Sequence, residues 1–145
     1  MTDVEEFPRF EPPMSDAARP FWEATREPRL VVQWCADCDR PIHYPRDACP
    51  QCLGDHLEFR PASGRGSVYA ISVMPKAAYP KLADRVPYAV VLVDLDLDGG
   101  QSVRFFSNLV ADDPTSVPIG TAVEVTWEPL SDGRHLPLFA PIAGA

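Results

Sequence analysis

The sequence is short of cations. It has 13 Lys and Arg against 21 Asp and Glu, for a formal charge of −8. Four thiolates around a divalent ion would take this to about −10. Nucleic-acid binders gain most of their affinity by neutralising phosphates with Lys and Arg, so a chain of this balance is a poor partner for a polyanion. Long apolar runs are also missing: no stretch approaches the roughly 20 residues needed to span a bilayer. The first residues, MTDVEEFPRFEPPM, are acidic and lack the basic start and apolar run of a secretory signal. Together these features predict a cytoplasmic chain with no membrane contact. Also missing are a GxSxG elbow, a P-loop, a GxGxxG fingerprint, an internal repeat and a coiled-coil heptad. The residues offer no independent catalytic constellation, and no catalytic residue is assigned.

What is present in excess is proline, 17 residues spread from Pro8 to Pro141. Proline breaks helices and central strands, so the chain is expected to use short elements joined by stiff turns. An apolar fraction of 46% is ordinary for a packed domain. Residues 1–14 hold Phe7 and Phe10 among acids and prolines and read as an extended arm. Ser15 and Asp16 are cap-like, Pro20 suits a first helical position, and a short helix with Phe21, Trp22 and Thr25 on its buried side should end before Pro28. Leu30–Trp34 reads as a strand.

Beyond residue 62 the pattern turns to period two. Strands are expected over Val68–Met74, Tyr88–Leu97, Ser102–Leu109, Val123–Trp127 and Leu136–Ala140, with turns at Asp98-Gly99-Gly100 and Ser131-Asp132-Gly133. One longer connection runs through Asp112–Gly120. Five strands suit a small Greek-key barrel such as an OB-fold better than a sandwich, which usually needs about seven or more. Asp94 and Asp96 share a strand face by spacing and read as a solvated edge.

The sharpest signal is the pair of motifs Cys35-Ala36-Asp37-Cys38 and Cys49-Pro50-Gln51-Cys52, ten residues apart. In a reducing compartment two CxxC pairs are metal ligands before they are disulfides. A CxxC turn lets two sulfurs converge while backbone amides point at them, and two such knuckles close a tetrahedron around zinc. With Cys35, Cys38, Cys49 and Cys52 filling every position, the metal is structural. Iron in a rubredoxin-like cage accepts the same ligands. His43, His56 and His135 are surplus to this set and read as satisfied surface or loop histidines.

The order FWEATREPRLVVQWCADC, YPRDACPQC, SGRGSVYAISV, PYAVVLVDLD and IGTAVEVTWEPLSDGRHLPLFAP, from about Phe21 to Pro141, resembles the zinc-ribbon and OB-fold family catalogued as domain of unknown function 35. One departure is Asp39, where relatives commonly have Gly; Asp can take the same left-handed conformation. The resemblance implies a mainly β fold: arm and short N-terminal helix over 1–29, rubredoxin-like zinc ribbon over 30–62, and five-stranded OB-fold barrel over 63–145. It also implies a role as the small partner of thiolase-superfamily enzymes (thiolases, synthases or side-chain aldolases of lipid or steroid metabolism). In such hetero-oligomers the large subunit carries the catalytic Cys or His, and the small one scaffolds the complex and helps hold a shared acyl-CoA. Coenzyme A phosphates need cations, and the most basic stretch carries Lys76, Tyr79, Lys81 and Arg85, the candidate ligand residues. The competing function is a nucleic-acid-binding zinc-ribbon/OB module, for which Arg104, Phe105 and Phe106 are the only basic-aromatic cluster on a barrel strand. An iron-carrying electron-transfer protein is a third.

Overall fold

The computed structural model describes residues 11–77 and 80–142, the side chain of Lys81 apart. The expectations for Phe7, Phe10 and Tyr79 lie outside the described residues. A short helix α1 (Arg19–Ala24) is followed by three strands, β1 (Val31–Cys35), β2 (Arg40–Ile42) and β3 (Leu57–Pro61), and then by β4 (Arg65–Met74), β5 (Tyr88–Asp96), β6 (Ser102–Leu109), β7 (Ala122–Pro129) and β8 (His135–Pro141). The fold is thus mainly β with one short helix. No helix among the described residues is long and apolar enough to cross a membrane.

Strand β1 is the centre of the ribbon's antiparallel sheet, ordered β2-β1-β3, and all five of its residues are buried. The remaining five strands form a closed barrel in the order β4-β5-β6-β8-β7, with β7 returning to β4. Counting barrel strands alone, this is 1-2-3-5-4, the Greek-key order of an OB-fold. The single parallel contact, Leu109 with Phe139, is where β8 crosses to lie beside β6.

Alternation explains the barrel's inside. Along β5, Ala89, Val91, Val93 and Leu95 are buried while their neighbours are half-exposed. Strict alternation along β4 would separate Val68 from Ile71 and Val73. Instead the register against β5 shifts between Val68 and Ala70, so Tyr69 is the extra residue, exposed, and Val68, Ile71 and Val73 all reach the core. The expected turns also form, Gly99 and Gly133 taking the left-handed φ of 72° and 89°. The Asp112–Gly120 connection contains a short helical turn over Pro114–Ser116, started by Asp113 accepting from the Thr115 amide at 3.1 Å.

Helix α1 buries Phe21, Trp22 and Thr25 as the pattern requires. Thr25 pins the helix end to the barrel: the His135 amide donates to Thr25 Oγ1 at 3.2 Å, and His135 Nδ1 lies 2.8 Å from the Thr25 carbonyl. Ahead of the helix, the Glu11 carboxylate accepts from the Ser131 amide and hydroxyl at 2.7 and 2.9 Å. Residues of one hydrophobic core therefore come from α1, β1 and the barrel together.

Gly66 marks a close approach of backbone in that core, because a methyl group there would sit 2.8 Å from Val93 Cγ1 and against the Asp94 carbonyl. Gly66→Ala should cost about 2 kcal/mol or more, since backbone cannot yield as a flexible side chain does. Gly99→Ala meets no neighbouring atom and should cost only about 1 kcal/mol through its positive φ. Urea unfolding of both variants measures the difference, and equal midpoints would contradict this packing.

Candidate functional site

The ribbon ends in two knuckles. In the first, the Cys38 amide points at Cys35 Sγ at 3.4 Å; in the second, the amides of Gln51 and Gly54 point at the sulfurs of Cys49 and Cys52 at 3.3 and 3.4 Å. Both turns need a residue in the left-handed region directly after the second cysteine, and both have one, Asp39 at φ 52° and Leu53 at φ 61°. Asp39 was legible as a glycine substitute; Leu53, with 78% of its surface exposed, was not.

The knuckles face one another so that all four Sγ atoms lie within 4.8 Å of one another. Between the knuckles, Cys35 and Cys52 are 3.7 Å apart and Cys38 and Cys49 are 3.9 Å apart. A tetrahedral zinc with Zn–S bonds of about 2.3 Å requires edges of about 3.8 Å, which these separations match. Four thiols this close cannot all ionise unaided. The Cys38 thiol is pushed up to about 12, chiefly by its hydrogen bond with Cys52 and then by burial. Cys49 is drawn down to about 7, chiefly by the Cys52 amide, although burial opposes it. A divalent cation removes the conflict, so the donor set fits a structural zinc held by Cys35, Cys38, Cys49 and Cys52. With four sulfurs on the ion, no position is left for water or substrate.

Local packing shows why the ion matters. Around the knuckles only Cys35, Ile42 and Cys49 form a buried apolar cluster, with Cys38 and Leu57 against it. The intervening loop is tied back by Gln33, which is 3% exposed: its amide donates to the Arg46 carbonyl at 2.9 Å and accepts from the Arg46 amide at 2.8 Å. This clamp carries no motif in the sequence.

The histidines divide. His56 is exposed beside Asp37 at 2.8 Å, which raises its pKa, and His135 is bonded to Thr25. His43 lies in the loop after β2, as expected, but is not satisfied there: its Nδ1 is buried with no hydrogen-bond partner among the described residues. It stacks on Phe105, ring centroids 4.1 Å apart, in the wall of an apolar cavity between ribbon and barrel, and burial lowers its pKa to about 4. No periodicity could reveal this, because its partner Phe105 lies on a barrel strand distant in sequence.

Of the candidate ligand residues, Lys76 is exposed at a bend before the turn Pro80–Arg85. Arg85 donates to Glu128 at 2.8 Å and borders a second cavity of about 420 Å³ with Leu82 and Tyr88. Tyr79 and the Lys81 side chain lie outside the described residues. The basic-aromatic cluster on β6 is split: Phe105 is buried, Phe106 is exposed, and Arg104 covers the Tyr69 ring at 3.5 Å while donating to Asp94 at 3.3 Å.

Replacing any one of the four cysteines by Ser should release the metal, because one thiolate fewer opens the sphere. Residues of about 30–60 should then lose amide protection, as metal affinity is folding energy in small zinc modules. Metal analysis with hydrogen exchange reads both; a variant that binds no metal yet keeps ribbon protection would contradict the dependence.

Comparison with known proteins finds a zinc ribbon followed by an OB-fold domain. Residues 22–58 match the model of the ChsH2 rubredoxin-like zinc ribbon domain, and residues 59–128 match that of the ChsH2 C-terminal OB-fold domain. A chain of the "Ltp2-ChsH2(DUF35) aldolase" superposes with a TM-score of 0.77 at 33% identity, over 90% of this chain and 98% of that one. A DUF35-family protein of unknown function from Sulfolobus solfataricus shares the fold, with a TM-score of 0.60 at 12% identity over 89% of this chain and 87% of that one. Among curated proteins, a probable enoyl-CoA hydratase alpha subunit of Thermomonospora curvata is 35% identical over 122 residues, which are 83% of this chain. The match spans only 36% of that longer protein. A DUF35 domain-containing scaffold protein of Methanothermobacter thermautotrophicus is 28% identical over 115 residues, 79% of this chain and 83% of the relative. This chain belongs to the ChsH2-type DUF35 family, in which a rubredoxin-like zinc ribbon precedes an OB-fold domain.

Proposed function

We propose that this chain is a non-catalytic accessory subunit that scaffolds a thiolase-superfamily enzyme and helps it position acyl-CoA. The observation that carries this assignment is the likeness to a chain of the "Ltp2-ChsH2(DUF35) aldolase" along nearly that chain's whole length. The names of the two curated relatives, an enoyl-CoA hydratase subunit and a scaffold protein, point the same way. The chemistry of the chain supports it too. All four cysteines converge on one metal-binding cluster, so the chain brings no spare thiol nucleophile, and the partner supplies the reacting groups. The complex is a hetero-oligomer in a reducing cytoplasmic setting, where thiols stay available to the ion.

Within this assignment, the basic stretch carrying Lys76, Tyr79, Lys81 and Arg85 is the one that meets coenzyme A phosphates. Arg85 is half-exposed in its pair with Glu128. An exposed pair of this kind is worth little, so a phosphate can compete for the guanidinium.

Coexpression with a thiolase-like protein encoded beside it, followed by copurification and assay of thioester cleavage, condensation or retro-aldol release, tests the proposal. The two chains should copurify, and the large one should lose most of its activity or stability without the small one. Changing Lys76, Lys81 and Arg85 together to Ala should raise KM for acyl-CoA about tenfold with assembly intact, equivalent to about 1.4 kcal/mol of binding. A large subunit that is equally stable and active alone and never copurifies would overturn the accessory role; an unchanged KM would remove only the proposed phosphate face.

A further inference from the structure

The cavity beside His43 has a volume of about 650 Å³ and lies where α1, the ribbon hairpin and strands β6 and β8 meet. That is the size of a small-molecule site, roughly 300–1,000 Å³. Its walls are mostly aromatic and aliphatic, with Ser15, Ser107 and Asn108 as further polar lining, and among the described residues no Lys, Arg, Asp or Glu lines it. Its one imidazole stays neutral, because burial holds the His43 pKa near about 4.

Two features are unsatisfied by the chain itself. His43 Nδ1 is buried with no hydrogen-bond partner, a defect that typically costs about 1–3 kcal/mol. At the cavity, Phe106 leaves 68% and Tyr44 42% of its surface exposed, although both are large and aromatic. The Tyr44 hydroxyl accepts from Trp22 Nε1 at 2.7 Å, which fixes the phenol and leaves its own proton to donate.

We infer that this cavity binds a neutral, largely apolar small molecule carrying a hydroxyl or carbonyl oxygen, its body against the aromatic walls and its oxygen facing His43 or Tyr44. A phosphate or carboxylate is disfavoured because its charge would be desolvated with no cation among the described lining residues to meet it. The inference goes beyond the accessory role. Only one corollary rests on that role: of an acyl-CoA, the cavity admits the acyl end and rejects the nucleotide end.

The test uses the full-length, metal-loaded chain and the neutral fluorescent ketone 6-propionyl-2-dimethylaminonaphthalene. Binding should saturate at one probe per chain with blue-shifted emission. 1-Decanol should displace it, and decanoate at pH 7.5 should do so at least tenfold more weakly. Leu136→Trp, which fills the cavity from one wall, should weaken the probe at least tenfold while the melting curve stays cooperative. Should that variant fail to fold, Phe106→Lys at the exposed rim gives the second reading, since a cation there should bring decanoate level with or ahead of decanol. Probe binding that never saturates, decanoate matching decanol on the unaltered protein, or an unchanged preference in Phe106→Lys would each overturn the site. Probe failure with normal copurification sinks this inference alone, and probe binding with no copurifying partner sinks only the accessory role.

Discussion

Four sulfurs meeting at one end of a three-stranded sheet set the conditions for everything around them. The main core draws on α1, β1 and the barrel, but the knuckle end has a buried cluster of only Cys35, Ile42 and Cys49. Burying so little apolar surface, at about 25 cal/mol per Å², cannot offset the entropy of ordering two turns. The ion supplies that difference. Strand β1 joins the two regions, with Val31, Val32 and Trp34 in the large core and Cys35 in the small one. A disturbance at the metal is therefore transmitted along β1, whose buried residues belong to both cores.

The same strand links the metal to the cavity. Gln33 holds the Arg46 backbone against β1 from both sides, and His43 and Tyr44 precede that clamp in the same loop. Phe21 on α1 packs against His43, Tyr44 and Phe105, with ring centroids 5.7, 6.1 and 6.1 Å away. Ribbon, helix and barrel thus meet in one aromatic cluster. The metal stabilises a wall of the cavity without touching its contents, which is how a closed sphere can matter to binding.

Much of this was legible in the residues because it depends on local spacing. Two CxxC turns ten residues apart have few alternatives to a shared metal, and the period-two runs beyond residue 62 give five strands whose turns carry Gly where φ is positive. The helix face followed from Phe21, Trp22 and Thr25. What stayed hidden depends on contacts between distant segments. The bulge at Tyr69 leaves no composition signal, because an extra residue in a strand is defined only against its partner. Gln33 reads as an ordinary polar residue until the loop it clamps is in place. His43 reads as a satisfied surface or loop histidine because nothing near it in sequence is Phe105. Arg85 appears as a free cation until β7 brings Glu128 beside it. Leu53 occupies a conformation usually given to Gly, imposed by the second knuckle and not by its own preference.

The dependence on the four sulfurs can be measured directly on the protein as purified. X-ray absorption at the metal edge should identify zinc surrounded by four sulfur atoms at about 2.3 Å, with no lighter ligand in the first sphere. A sphere containing nitrogen or oxygen would show that one of Cys35, Cys38, Cys49 and Cys52 is free and the site open. An iron edge in place of zinc would contradict the structural-zinc assignment outright.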